Sequence, residues 1–320
     1  MMKTKATVRN ILVWVFWIVV VQLVLANISA ASYAYKFTHF KQGPPPPYTH
    51  KNIFTKTWKL FVGQDVYKLP ATAAPAFPVE EIHFATNDSI NINGWYSDSD
   101  SANACVILCH GYTVDKSSLL DEAAQFRAWG YNVLLFDFRG HGNSEGVYSS
   151  FGNKESEEVA KAFAFAKAKG NQNIILYGVS MGSMAVLKSV SENNLQPAAI
   201  ITDMPFGSLQ DHFKSRAQIL GFPSQPFAFL ISTWIGIEQG FNPYTFKACN
   251  YAKHIHCPVL QEWGEKDVYV KRKETDEIFN CLASAKKKLL VYPDANHESF
   301  VRVDPDQWKA GVQIFLTHIH

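Results

Sequence analysis

The chain has 320 residues, of which 47 % are hydrophobic and 18 % are charged, a composition that excludes a disordered protein. This length fits one large α/β domain or two small ones. The formal net charge is +2, but Lys3, Lys5 and Arg9 precede every acidic residue, so the remainder carries 27 basic and 28 acidic residues. That balance gives no indication of a nucleic-acid partner.

Residues 1–35 are predicted to be a membrane anchor or a signal peptide. Cationic residues precede an apolar run over residues 11–26, in which Gln22 is the only polar residue. A membrane-spanning helix needs about 20 mostly apolar residues, which residues 11–31 supply, and Trp14 and Trp17 suit an interfacial belt. We therefore expect an uncleaved anchor.

Two alternatives to the anchor remain. A secretory signal peptide with small residues at a cleavage site near Ser32-Tyr33-Ala34 would release a secreted or periplasmic protein. A buried soluble helix is disfavoured because the run has no polar face. The N-terminal cations favour a cytoplasmic N-terminus and an extracytoplasmic position for the rest of the chain, although Lys36 and Lys41 weaken that bias.

Residues 36–78 are predicted to be a spacer and lead-in, with four consecutive prolines in a stiff, extended stretch at 41–51. The folded domain is expected over residues 79–320. Its predicted strands share apolar runs bounded by turn residues, and lie at 79–86, 92–97, 104–111, 131–138, 173–178, 198–204, 258–264 and 288–294.

The first two strands alternate apolar and polar residues, as half-exposed antiparallel strands do, whereas most later ones are continuously apolar. Amphipathic helices are predicted at 118–130 and 155–170, and a last helix begins with Asp304 as N-cap and Pro305 in its first turn. Strands that alternate with helices predict a mostly parallel sheet. Residues 205–250 exceed one crossover helix and are rich in aromatic residues.

Five cysteines are present: Cys105, Cys109, Cys249, Cys257 and Cys281. Cys105 and Cys109 lie about 13 Å apart on one predicted strand, too far for a disulfide. There is no C-x-x-C pair, so a zinc or redox motif is not supported. We expect buried free thiols.

The stretch "NIILYGVSMGSMAVL", residues 173–187, places Ser180 between a strand and a helix in a G-x-S-x-G pattern. This context is the one that a nucleophile elbow needs. Gly178 and Gly182 would let strand and helix approach closely, and the helix N-terminus would offer N–H groups to an oxyanion. A phosphate-binding glycine turn is disfavoured, because neither a following Gly-Lys-Ser/Thr nor G-x-G-x-x-G is present.

A serine nucleophile needs a base and an orienting carboxylate. His297 follows the last predicted strand, and Asp267 follows the strand before it, which gives the chain order Ser, Asp, His typical of this scaffold. The rival acids are Glu265, Asp294 and Glu298.

The oxyanion hole is expected to use the main-chain N–H groups of Met181 and Tyr112. His110 and Gly111 end the preceding strand, and His110 is expected to shape the loop rather than to move protons.

From residue 79 onward the chain resembles the α/β-hydrolase superfamily, in particular serine aminopeptidases, monoglyceride lipases and lysophospholipases. The resemblance rests on "HGY" (110–112), "DFRGHGNSEG" (137–146), "GVSMGS" (178–183), "GEKD" (264–267) and "NH" (296–297). It implies an α/β-hydrolase fold with an eight-stranded, mostly parallel sheet, helices on both faces and a helical cap at about 205–250. It also implies that Ser180, Asp267 and His297 act as nucleophile, acid and base.

These observations predict a serine hydrolase that cleaves a small or lipid-like acyl ester through an acyl-enzyme. A serine peptidase is the first alternative, and a non-catalytic binding protein on the same fold is the second. No metal or organic cofactor is implied. A membrane is the expected partner, contacted through the N-terminal segment, and the oligomeric state stays open. The cap aromatics either line an acyl pocket or pack the cap, and packing is favoured.

Overall fold

In the computed structural model of the chain, residues 2–47, 52–99 and 104–318 are described. Residues 48–51, part of the predicted extended spacer, lie outside them. The strands, named in chain order, are β1 Phe40–Gln42, β2 Val66–Lys68, β3 Glu80–Ala85, β4 Asn91–Ser97, β5 Ala104–Cys109, β6 Asn132–Phe136, β7 Asn173–Val179, β8 Ala199–Asp203, β9 Val259–Gly264 and β10 Lys287–Tyr292.

The helices follow the periodic segments of the sequence. They are α1 Met2–Thr38, α2 Ile53–Val62, α3 Leu120–Ala128, α4 Glu155–Ala168, α5 Met181–Glu192, α6 Leu209–Ile219, α7 Ser224–Gln239, α8 Ala248–Ala252, α9 Arg272–Cys281, α10 Phe300–Val303 and α11 Pro305–Thr317. A single 3₁₀ turn, Lys116–Leu119, precedes α3.

An eight-stranded sheet in the order β10-β9-β8-β7-β5-β6-β4-β3 forms the centre of the domain. From β6 through β5 to β10 all neighbouring strands are parallel, and helices cover both faces. Since β5 lies between β6 and β7, the strand order reverses at β5. Clefts for ligands form at such switch points, beyond the carboxyl ends of the strands.

The predicted fold class is confirmed, and the structure contains all eight predicted strands, with ends that shift by at most a few residues. One feature of the prediction is wrong. The strand β4 is antiparallel to its neighbours, as expected, but it is mostly buried rather than half-exposed. The reason is that β4 lies inside the sheet, between β3 and β6, where residues such as Asn93 are covered on both sides.

The segment between residues 36 and 78 has more structure than the sequence predicts. The helix α1 continues to Thr38, and β1 then pairs in parallel with β2. The helix α2 lies between these two strands, and the main-chain oxygens at its end accept hydrogen bonds from side chains of α1.

The helix α1 has two parts with different surroundings. Nearly every residue from 7 to 25 is exposed, whereas Ala30, Tyr33 and Ala34 are buried against the rest of the chain. Tyr33 packs edge-on against Phe227 of α7, with ring centroids 5.2 Å apart. Over Thr7–Thr38 the helix is long and apolar enough to cross a membrane, by length and composition.

The expectation of five free thiols is wrong for two of them. Cys249 of α8 and Cys281 of α9 form a disulfide, with Cα atoms 5.3 Å apart. Their separation of 32 residues hides this pairing from a local sequence pattern. Cys105, Cys109 and Cys257 are free, and burial raises the pKa of the Cys257 thiol to about 12, so it stays protonated.

Candidate active site

Ser180 lies at the junction between β7 and α5 with a positive φ of +53°, a conformation that residues other than glycine rarely adopt. Its N–H donates a hydrogen bond of 2.8 Å to the main-chain oxygen of Asp203, at the end of the neighbouring strand β8. The hydroxyl is therefore held at the carboxyl edge of the sheet.

Two glycines allow this junction to form. A Cβ atom on Gly178 would lie 2.7 Å from the main chain of Gly182, and one on Gly182 would lie 2.1 Å from the carbonyl oxygen of Cys109. Any side chain at these positions would force β5, β7 and α5 apart. The Gly-x-Ser-x-Gly pattern thus has a steric cause that is independent of chemistry.

A line of hydrogen bonds runs from Ser180 to Asp267. The Ser180 hydroxyl lies 3.0 Å from Nε2 of His297, and Nδ1 of His297 lies 2.7 Å from Oδ2 of Asp267. The other carboxylate oxygen of Asp267 accepts the N–H groups of Tyr269 and Val270 at 2.7 and 2.9 Å. The Asp267 side chain is fully buried, while that of His297 is 20 % exposed towards the cleft.

The rival acids lie elsewhere. Asp294 is exposed and pairs with Lys266, and Glu298 accepts the N–H of Asn296. Glu265 is exposed in the turn after β9. Of the described carboxylates, Asp267 is the one that is hydrogen-bonded to the His297 ring.

The loop after β5 passes close to Ser180, because a Cβ atom on Gly111 would lie 3.8 Å from that of Ser180. In the described part of the chain, no hydrogen bond occupies the main-chain N–H of Tyr112 or of Met181. The Tyr112 hydroxyl donates to the main-chain oxygen of Phe37 at 2.6 Å, so the end of α1 forms part of this wall.

Two buried histidines hold this loop in place. Nδ1 of His110 donates to the oxygen of Gly111, and its Nε2 accepts the N–H of Phe138. His141 accepts the N–H of Thr113 and donates to the oxygen of Arg139. Burial lowers the pKa of His110 to about 4 and that of His141 to about 3, so both rings are neutral at pH 7.

The motif at residues 137–146 also helps to hold the loop after β5 in place. The sequence alone does not show this structural role. Asp137 accepts the N–H of Lys116 at 2.7 Å and forms a fully buried ion pair with the Lys116 ammonium group. It also accepts the N–H of Asn143 at 2.8 Å. The loops that follow β5 and β6 are thus joined beside the site.

A cleft of about 400 Å³ opens beside Ser180 and His297. Its other lining residues include His212 and Arg216 of α6, Tyr269, and Glu122 of α3. The cap aromatics singled out in the sequence do not line it within the described residues, and Phe206 and Phe213 are buried in the core. In that same part of the chain no group of three His, Cys, Asp or Glu side chains is arranged to hold a metal ion.

Comparisons with known proteins agree with this fold. The family model described as serine aminopeptidase, S33, matches residues 100–234. The solved structure of the Pyrococcus furiosus esterase Pf2001 matches this chain with 25 % sequence identity and a TM-score of 0.67. The match covers 79 % of this chain and 97 % of the esterase chain.

Two curated relatives extend the comparison. An uncharacterised Bacillus subtilis protein, YqkD, is 24 % identical over 235 residues, which cover 72 % of this chain and 76 % of the relative. The mouse lysophosphatidylserine lipase ABHD12 is 26 % identical over 205 residues, 60 % of this chain but only 49 % of the relative. The chain therefore has the α/β-hydrolase fold, and esterases and lipases are among the proteins that it resembles.

The neutral state of His110 generates a prediction about pH. Its pKa in the folded protein lies below the value of about 6.5 expected after unfolding, so the unfolded chain binds the proton first as pH falls. Stability is then lost between about pH 6.5 and pH 4. Relative to His110→Asn, the wild type should lose about 2 kcal/mol of unfolding free energy between pH 7 and pH 5, measured by urea denaturation.

The matched control is His83→Asn, because His83 is exposed on β3. This variant should keep the pH dependence of the wild type. Identical pH profiles for wild type and His110→Asn would contradict a neutral, buried His110.

Proposed function

We propose that the chain is a serine hydrolase that works through an acyl-enzyme on Ser180. The observation that carries this proposal is the unbroken hydrogen-bonded line from the Ser180 hydroxyl through His297 to the buried Asp267. In such a line the imidazole accepts the proton of the serine as its oxygen attacks a carbonyl carbon. The carboxylate orients the imidazole and stabilises the imidazolium.

The two unoccupied amides supply the second element of catalysis. The N–H groups of Tyr112 and Met181 are proposed to donate to the oxyanion of the tetrahedral intermediate. Because Met181 is the first residue of α5, the positive end of the helix dipole also stabilises that oxyanion. His297 then protonates the leaving group. Water, deprotonated by the same ring, releases the acid and restores Ser180.

We propose an ester, rather than a peptide, as the substrate. The solved relative from Pyrococcus furiosus is an esterase, and the mouse relative is a lysophosphatidylserine lipase. A serine peptidase is the second candidate, supported by the description of the matching family model. The non-catalytic alternative is disfavoured because a nucleophile, a base and an acid are all present in hydrogen-bonding geometry.

We further propose that α1 remains attached as a membrane anchor. Cleavage near residues 32–34 would remove buried Ala30 and Tyr33, together with hydrogen bonds from Ser32 to the oxygen of Val62 and from Tyr33 to that of Leu60. The disulfide between α8 and α9 supports an extracytoplasmic catalytic domain, because disulfides persist in oxidising compartments.

Active-site labelling tests the hydrolase proposal. A fluorophosphonate probe should label the wild type covalently, because its phosphorus reacts with a serine that has an adjacent base. Ser180→Ala should show no labelling in a gel or by intact mass. Ser183→Ala is the matched control and should still be labelled, since the Ser183 hydroxyl donates to the main-chain oxygens of Gly178 and Asp203. Equal labelling of wild type and Ser180→Ala would overturn the assignment.

The intact mass of the protein purified from membranes tests the anchor. We expect the full N-terminal segment to be retained. A mature chain shorter by about 34 residues would instead establish a cleaved signal peptide.

A further inference from the structure

Arg216 is a cation in the catalytic cleft that lacks an acidic partner. It lies on α6 and lines the cleft together with Ser180 and His297. Across the described residues, no carboxylate lies within ion-pair distance of its guanidinium group. Two other arginines differ: Arg139 pairs with Glu158, and Arg302, which lines the same cleft, pairs with Asp121.

The group that Arg216 does contact carries no negative charge. Its Nε donates a hydrogen bond of 2.8 Å to Nε2 of His212. His212 is buried, and desolvation together with the charge of Arg216 holds its pKa well below the usual value. It is therefore a neutral acceptor, which orients the guanidinium and leaves its terminal N–H groups available.

Three aromatic rings fix the guanidinium group further. Its central carbon lies 5.5 Å from the ring centre of Phe37, 5.9 Å from that of Tyr112 and 5.5 Å from that of Tyr269. Aromatic rings attract a cation and limit its motion, but they do not neutralise it. A partly desolvated cation held in this way is suited to an anion supplied from outside the chain.

The rings also relate Arg216 to the reacting groups. Tyr112 carries the amide proposed for the oxyanion hole, and the Tyr269 ring lies 5.4 Å from that of His297. An anion on Arg216 would thus share the cleft with the carbonyl that Ser180 attacks. This placement suits a head group attached close to the ester, rather than a charge at the far end of an acyl chain.

We propose that Arg216 is the anion subsite of the cleft and that the preferred substrates are acyl esters carrying a phosphate or carboxylate close to the ester bond. This inference rests on the proposed function and names its substrate class. Arg216 is a specificity-determining residue, whose planar guanidinium can form two parallel hydrogen bonds to one anion.

Two esters with the same acyl chain test this subsite: 1-oleoylglycerol, which is neutral, and 1-oleoylglycerol 3-phosphate. A 1-oleoylglycerol hemisuccinate separates carboxylate from phosphate recognition. We expect wild type to prefer the anionic esters, and Arg216→Gln to lower the ratio of kcat/KM for anionic over neutral substrate by about 10- to 100-fold. Arg216→Lys should recover part of the ratio, because lysine keeps the positive charge but cannot form the two parallel hydrogen bonds of a guanidinium group.

The control variant is Arg272→Gln, since Arg272 lies on α9 and pairs with Asp276. It should leave the ratio unchanged. An unaltered ratio in Arg216→Gln, with fluorophosphonate labelling of Ser180 intact, would overturn the subsite while the hydrolase proposal stands. If wild type itself is not labelled, it is the proposed function that fails.

A second inference comes from α2 and is independent of the chemistry. Four large apolar side chains of this ten-residue helix are exposed: Ile53, Phe54, Trp58 and Leu60, with exposures of 69, 80, 62 and 51 %. Lys59 lies opposite these side chains on the helical wheel, and Lys56 lies at the border of the polar side, as in helices that rest on a membrane surface.

Hydrogen bonds between α1 and α2 fix the position of α2 along the axis of α1. Ser29 donates to the oxygen of Phe61, Ser32 to that of Val62 and Lys36 to that of Gly63. The exposed part of α1, residues 7–25, spans about 29 Å at 1.5 Å per residue, which matches a hydrocarbon core of about 30 Å. The end of α2 therefore lies just beyond the spanning segment.

We infer that α2 lies in the membrane interface beside the anchor, with its apolar side chains among the lipids. A nitroxide label on Phe54→Cys tests this in the full chain in phosphatidylcholine vesicles, in a Cys257→Ser background. The label should collide more with oxygen, which concentrates in lipid, than with a water-soluble nickel chelate. A label on Ile314→Cys, on the exposed side of α11, should show the opposite. Nickel accessibility at 54 equal to that at 314 would overturn the inference.

Discussion

The close contact between β5, β7 and α5 is the constraint on which the rest of the site depends. Cβ atoms on Gly178 or Gly182 would collide with main-chain atoms, so only glycine permits this approach. Because these elements approach so closely, Ser180 adopts a strained, positive φ, and its hydroxyl lies beyond the end of the sheet. The N-terminus of α5 lies beside that hydroxyl. A strain of this kind costs about 1–3 kcal/mol and persists because the surrounding sheet and helix determine it.

The second wall of the site joins the loop after β5 to the end of α1. Tyr112, whose main-chain N–H has no hydrogen bond among the described residues, donates its hydroxyl to the main-chain oxygen of Phe37 at the end of α1. Neutral His110 and His141 hold the same loop through hydrogen bonds to the main chain of Gly111 and Thr113. The end of α1, the loop after β5 and Arg216 therefore meet at one place, and the end of α1 belongs to the folded domain.

Much of the fold was predictable because its signals are local. Continuous apolar runs, the glycines around Ser180 and Asp304 before Pro305 each act within a few residues. The features that escaped prediction depend on contacts between distant segments. The Cys249–Cys281 disulfide, the burial of β4 inside the sheet and the contact of Phe37 with Arg216 arise only once the chain has folded. His212 and Arg216 were missed for the same reason, since neither belongs to a motif.

The proposed mechanism requires a covalent acyl-enzyme at Ser180. The most direct measurement is mass spectrometry of the wild type mixed with an activated oleoyl ester and quenched in acid within the first turnover. We expect a mass increase of one oleoyl group, carried by the peptide that contains Ser180, which then decays as water releases the acid. Product formation with no acylated protein at any time, or acylation of another residue, would contradict it.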